Sequence, residues 1–213
     1  MTKREEIEWC DVWITQANDG KLPRVLLVGD SIARSYYAEV EKALGGQFHC
    51  ARLATSKSIC DPAFRKELRL ALDDYKFAVI HFNNGLHGWD HDEETYGENL
   101  PRILRFTLER APGSLLVWAS STPIRKKENL SELDPSTDRV VARNRIASEI
   151  AGEQGIPVND LFALLVEHPE YFAEDGVHLN AQGQAVLGQR VAQCVLSLTQ
   201  PRESATGATR SCQ

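Results

Sequence analysis

Five short apolar runs recur along the chain, and stretches of helical spacing separate them. The runs are Arg24 to Val28, Phe48 to Leu53, Phe77 to Phe82, Leu115 to Ala119 and a short one around Pro157 to Asn159. Helices are read over Ile32 to Leu44, from Pro62 through about Leu72, from near Tyr96 to Arg110, and over Arg139 to Glu153, with a last long helix from Ala181 to Leu198. Alternation of this kind favours a parallel sheet with helices packed on its faces. The expected fold class is α/β: a single-domain, three-layer α/β/α sandwich with a five-stranded parallel sheet.

At 213 residues and 42% hydrophobic, the chain suits one domain with a sizeable core. That domain is expected over residues 1–199. Residues 1–20 read as a helical extension packed on it, with a helix over Met1 to Ala17 whose Ile7, Trp13 and Ile14 face inward. Residues 200–213 are polar and small and read as a flexible tail. The formal charge of −6 argues against a nucleic-acid surface, which needs clustered Lys and Arg. The basic run Arg125-Lys126-Lys127 is short, is followed by acidic residues, and reads as a solvated loop. No stretch approaches the roughly 18 apolar residues of a membrane span, and the charged N-terminus lacks the apolar core of a signal peptide. The five cysteines are odd in number and form no C-x-x-C pair. They point to reduced thiols in a cytoplasmic protein, not to a metal site or a disulfide framework. Nothing calls for a metal or an organic cofactor.

Two fragments carry the chemistry. In Gly29-Asp30-Ser31 a serine hangs on the turn between the first apolar run and a helix. Glycine permits a sharp turn, and a serine at a helix N-terminus lies beside unpaired backbone N–H groups able to receive an oxyanion. Ligands of open α/β sheets bind at the carboxyl ends of strands, where this turn is expected. Taken alone, Ser31 or Asp30 is equally a helix cap. The fragment departs from the G-x-S-x-G elbow, since Ala33 stands at its last glycine. In Asp175-Gly176-Val177-His178, a tight turn lets the Asp175 carboxylate hold Nδ1–H of His178 and leaves Nε2 free to take the Ser31 proton. The groups occur in the order Ser, Asp, His. An α/β-hydrolase is disfavoured because there the acid and histidine lie on separate loops and the nucleophile follows a middle strand.

On these residues the chain resembles the SGNH (GDSL-type) hydrolase superfamily over roughly Arg24 to Leu198. GDSIA is similar to the family's first block, with Ser31 as nucleophile. DGVHLNAQG is similar to its last block, with Asp175 and His178 completing the triad. The resemblance implies an SGNH/flavodoxin-like sandwich. It also implies an oxyanion hole built from the serine amide, the amide of a glycine after the second strand and an asparagine side chain after the third. Here the expected glycine is missing from Arg52-Leu53-Ala54-Thr55-Ser56, so an amide among Ala54 to Ser56 must serve. The usual G-x-N-D gives way to Asn83-Asn84-Gly85-Leu86-His87, a divergent N-x-G-L-H form. Asn83, first off the strand, is favoured over Asn84 as oxyanion donor, and the alternative is that either asparagine simply holds the turn.

His87 and Trp89 are candidate pocket residues. Trp89, Tyr36 and Tyr37 are weighed as stacking surfaces against plain packing, and Trp118 is read as core. The loop Pro123 to Ser136 is a lid or a solvated connection on the active-site edge. The resemblance implies a serine esterase acting on a small-molecule acyl ester, with short acyl (acetyl) groups, on carbohydrate, as the leading class. Acyl transfer or thioester hydrolysis would use the same triad. The reading from another class is a non-catalytic binding module.

Overall fold

In the computed structural model, which describes residues 4–200, a six-stranded sheet forms the middle layer. Its strands are β1 (Cys10–Ile14), β2 (Arg24–Gly29), β3 (His49–Thr55), β4 (Val79–Phe82), β5 (Leu115–Ala119) and β8 (Val158–Asn159), in the order β1-β3-β2-β4-β5-β8. β3, β2, β4, β5 and β8 run parallel, giving the expected five-stranded parallel core. β2 is buried along its whole length. Val25 and Leu27 enter one core while Leu26 and Val28 enter the other, as alternation along a strand requires. Each such side chain contributes roughly 1.5–3 kcal/mol by leaving water.

The helices are α1 (Ser31–Leu44), α2 (Phe64–Leu72), α3 (Glu93–Arg110), α4 (Thr137–Glu153), α5 (Leu161–Leu165) and α6 (Ala181–Thr199). α1, α5 and α6 pack on one face. α2, α3 and the C-terminal half of α4 pack on the other. α3 begins before Tyr96 because Asp92 caps it by accepting from Thr95 N at 2.8 Å. A two-stranded hairpin of β6 (Arg125–Lys126) and β7 (Asn129–Leu133) lies between β5 and α4.

The N-terminal helix is corrected. Cys10–Ile14 is a strand, antiparallel to β3 with Cys10 opposite Thr55 and Ile14 opposite Ala51. Ile7 is 74% exposed and Trp13 52% exposed, so neither faces inward. The physical reason is the edge of β3, whose unpaired backbone groups need a partner. The segment CDVWI supplies one, with Val12 and Ile14 packing on the core and Asp11 pairing with Arg52 at 3.0 Å. Of the described cysteines, Cys10, Cys50 and Cys60 are free thiols. The expected tail lies, from residue 201 on, outside the described residues. Among the described residues no helix is long and apolar enough to cross a membrane.

One buried group makes the sheet sensitive to acid. His81 in β4 is fully buried, with Asn159 Nδ2 3.1 Å from its Nε2 and its Nδ1 unpartnered. Burial opposes the charged ring and brings its pKa down to about 4. The unfolded chain therefore binds more protons than the native one between about pH 6.5 and 4. Stability contributed by the neutral ring is present above that window and is lost as pH falls through it, by up to about 3 kcal/mol at 1.36 kcal/mol per pH unit. Urea melts across this range should show the loss in the wild type and a flatter profile in His81→Gln. Equal slopes in the two proteins would refute the assignment.

Candidate active site

β2 is the point where the strand order reverses, with β3 on one side and β4 on the other. The crevice beyond the carboxyl ends of such strands is where α/β sheets bind ligands. Gly29 ends β2 there. A Cβ on Gly29 would sit 2.5 Å from Ala33 Cβ, so the tight entry into α1 needs glycine and tolerates no more than a small residue at position 33. Asp30 is the N-cap, accepting from Ile32 N at 2.9 Å. Ser31 is the first residue of α1, and its own N–H has no hydrogen-bond partner among the described residues.

The Asp175–His178 turn reaches the same edge from just before α6. A bridge between Phe172 and Leu179 and a bond from Ala173 N to His178 O (2.8 Å) close it at the base. At its tip Gly176 has φ +73°, and a Cβ there would stand 2.1 Å from Arg125 O. Only glycine fits that left-handed, crowded position. Gly176 O in turn accepts from Arg125 N at 2.7 Å, which docks the turn on β6. The Arg125 guanidinium donates to Leu130 O at 2.8 Å and lies 5.0 Å from the centroid of the Phe172 ring. The segment Pro123 to Ser136 is therefore a brace behind the turn, and Arg125 is buried within it.

The three groups singled out from the sequence meet in space. Ser31 Oγ lies 2.9 Å from His178 Nε2, and His178 Nδ1 lies 2.6 Å from Asp175 Oδ2. Asp175 Oδ1 accepts from the amides of Val177 (2.9 Å) and His178 (2.8 Å). Partial burial pushes the Asp175 carboxyl up, but the hydrogen bonds from the His178 ring and these two amides outweigh it and hold the group below its usual range. Asp175 is thus an ionised acceptor for Nδ1–H at neutral pH, and that bond turns Nε2 toward Ser31 as an acceptor. Such a pair can draw the proton from a hydroxyl as it attacks a carbonyl.

The two asparagines expected as oxyanion donors are bonded to the loops around them. Asn83 Nδ2 donates to Ala119 O (2.8 Å) and Ser121 Oγ (3.1 Å), which uses both of its N–H groups. Asn84 is buried; its Nδ2 donates to Lys57 O (2.8 Å) and its Oδ1 accepts from Ile59 N (3.1 Å). Buried amides are satisfied where they lie, and the loops after β5 and β3 claim these two. In the β3–α2 loop, Ser56 N donates to Trp9 O at 3.1 Å, which removes it from the candidate amides, while Ser58 N has no partner.

His87 and Trp89 sit on the β4–α3 loop. His87 Nδ1 meets Glu5 Oε1 at 2.6 Å, and its ring stands edge-on to Trp9. Trp89 lies against the guanidinium groups of Arg139 (5.3 Å) and Arg143 (4.9 Å). Of the two, only Trp89 lines a cavity of about 260 Å³, shared with Ser56, Lys57, Ser58, Gly88 and His91. The N-terminal segment forms one wall of that cavity through Arg4, Glu5 and Glu8. Arg4 pairs with Asp61 at 3.0 Å, Glu8 pairs with Lys57, and the Trp9 ring is 4.8 Å from the Arg34 guanidinium carbon. Tyr36 and Tyr37 pack in the core.

Sequence reading took Arg125, which is buried, for part of a solvated loop, and it missed Arg139 and Arg143. An arginine within a helical pattern reads as solvent-facing, and no local signal marks one whose partners are carbonyls dozens of residues away.

No protein-family profile matches the chain, and no curated protein matches it in sequence. Solved structures do match. A carbohydrate acetylesterase from Sinorhizobium meliloti aligns with TM-score 0.66 at 13% identity, covering 83% of this chain and 99% of that one. A carbohydrate esterase family 3 protein from Talaromyces cellulolyticus aligns with TM-score 0.67 at 13% identity, covering 83% and 98%. A GDSL-like lipase from Bacteroides thetaiotaomicron aligns with TM-score 0.64 at 14% identity, covering 81% and 87%. The polypeptide therefore has the SGNH (GDSL-type) hydrolase fold.

Proposed function

We propose that this protein is a serine esterase that hydrolyses carboxylic esters of small acyl groups through an acyl-enzyme on Ser31. The observation that carries the reading is the 2.9 Å approach of Ser31 Oγ to His178 Nε2, with Asp175 behind the ring. Oγ attacks the ester carbonyl as Nε2 takes its proton. The tetrahedral oxyanion forms beside the free Ser31 amide at the positive end of α1. His178 then returns the proton to the departing alcohol oxygen. Water, deprotonated by the same nitrogen, attacks the acyl carbonyl and releases the acid and free Ser31.

A short acyl group is favoured by the packing behind the nucleophile. Only about 10 Å³ remains open among Ile32, Ala33, Tyr36, Asn83, Leu86 and Leu161, which is room for about one water molecule. A long chain has no buried channel there. Structures of this fold include carbohydrate acetylesterases, which makes an acetylated sugar the first substrate class to screen.

The test is covalent. A fluorophosphonate should label the wild type once, and peptide mapping should place the adduct on Ser31. Ester turnover that persists after Ser31 is fully labelled would end this reading.

A further inference from the structure

The oxyanion site needs a second donor beside the Ser31 amide, and the side-chain amides of Asn83 and Asn84 are engaged with the carbonyls of Ala119 and Lys57. We infer that Arg143 is the positioning residue that supplies one indirectly, by turning the Gly85–Leu86 peptide so that its N–H faces the oxyanion. This inference rests on the esterase reading.

Arg143 lies on α4 with its side chain 1% exposed. Its guanidinium donates to four carbonyls of one loop: Gly85 (3.0 Å), His87 (2.9 Å), Gly88 (3.0 Å) and His91 (3.1 Å). The ring of Tyr96 lies 5.3 Å away and Glu93 Oε1 approaches Nε at 3.4 Å, so the charge is stacked and compensated. Asn144, the next residue, clamps the neighbouring strand end by exchanging two hydrogen bonds with Ser121, from Ser121 N (2.8 Å) and to Ser121 O (2.9 Å). One turn of α4 thus fixes both loops that follow β4 and β5.

A trans peptide points its C=O and N–H in opposite directions. Capturing Gly85 O on Arg143 therefore sends Leu86 N–H away from α4. That amide has no hydrogen-bond partner among the described residues. The β2–β4 register places Val28 opposite Phe82, and Asn83 N bonds Val28 O at 2.9 Å. Leu86 shares a small cavity with Ile32 and Ala33, which directly follow Ser31 on α1. Gly85 is also closely packed, since a Cβ there would meet Ser121 Oγ at 2.1 Å. Burial lowers the affinity of Arg143 for its proton, yet an arginine stays charged across the working range. The clamp is accordingly permanent at any pH where His178 can act.

The test compares Arg143→Lys with the wild type, counting only sites that a fluorophosphonate titrates, so that misfolded protein does not enter the rates. Lysine keeps the charge but cannot span four carbonyls. Two substrates are used: 4-nitrophenyl acetate and its thionoester, in which sulfur replaces the carbonyl oxygen and accepts hydrogen bonds poorly. Loss of one oxyanion donor should lower kcat for the ester by about 10²–10³-fold. KM should change little, and the pH midpoint of kcat should stay in place because the Ser31–His178 pair is untouched. The wild-type preference for ester over thionoester should shrink by a similar factor. A kcat within about threefold of wild type, well short of a donor's worth, would overturn the inference, and so would a large loss with the ester-to-thionoester ratio unchanged. If wild-type turnover survives Ser31→Ala, the esterase reading itself fails, and that result is separate from either outcome at Arg143.

Discussion

Changing His178 to alanine is expected to lower kcat for 4-nitrophenyl acetate by about 10⁶-fold, because losing the base of such a triad costs as much as losing the whole of it. Nε2 is the acceptor placed 2.9 Å from Ser31 Oγ, and no second base lies within hydrogen-bond reach of that hydroxyl. The side chain is 45% exposed, so its removal should leave the melting midpoint almost where it was. The loss should therefore be one of rate in a folded protein. The double variant His178→Ala, Ser31→Ala should be no slower than either single one, since the two residues act as a unit. Steady-state rates of the three proteins decide it. Losses that multiply would mean that the residues act separately, and the proposed mechanism would be wrong.

Asp175→Asn is expected to cost about 10⁴-fold in kcat with little change in fold, the magnitude seen when a triad acid becomes an amide. The new side chain keeps an oxygen for the amides of Val177 and His178, so the turn survives. What it loses is the second carboxylate oxygen on Nδ1 at 2.6 Å. An amide nitrogen in that place donates to Nδ1 instead of accepting from it, and the ring then carries its proton on Nε2, facing Ser31. A protonated Nε2 cannot take another proton. Near-wild-type KM with a collapsed kcat, at equal far-UV dichroism, is the expected signature. A variant retaining more than about a tenth of the wild-type kcat would show that Asp175 does not set the tautomer.

The reactive groups were legible because their logic is local at each end. Gly29-Asp30-Ser31 is a strand end, a cap and a helix start within three residues, and Asp175 to His178 is a single turn. The parallel core was legible for the same reason, since Val25 to Val28 and Leu115 to Ala119 are continuous apolar runs. Cys10–Ile14 was not, because five half-exposed residues carry no clear period, and pairing with β3 decided their state. The bonding of the two asparagines was hidden because an amide points where its partners are. Ala119, Ser121 and Lys57 became neighbours of Asn83 and Asn84 only through the sheet. Arg125 and Arg143 lay beyond reach for the converse reason. Each serves carbonyls from distant segments, Leu165 and Val166 for Arg125 and Gly85 to His91 for Arg143, and nothing near either in the chain advertises it.

The hydroxyl and the imidazole that touch in the finished protein are 147 positions apart along the chain. Between them lie every parallel strand after the first and all but one of the helices. Contacts of such long range form late and slowly in folding. During synthesis the nucleophile must leave the ribosome well before its base exists, so a nascent chain stays inert until the final helix has docked. On the esterase reading proposed above, ester turnover thus serves as a gauge of complete folding, and partly built or C-terminally shortened chains should register as silent.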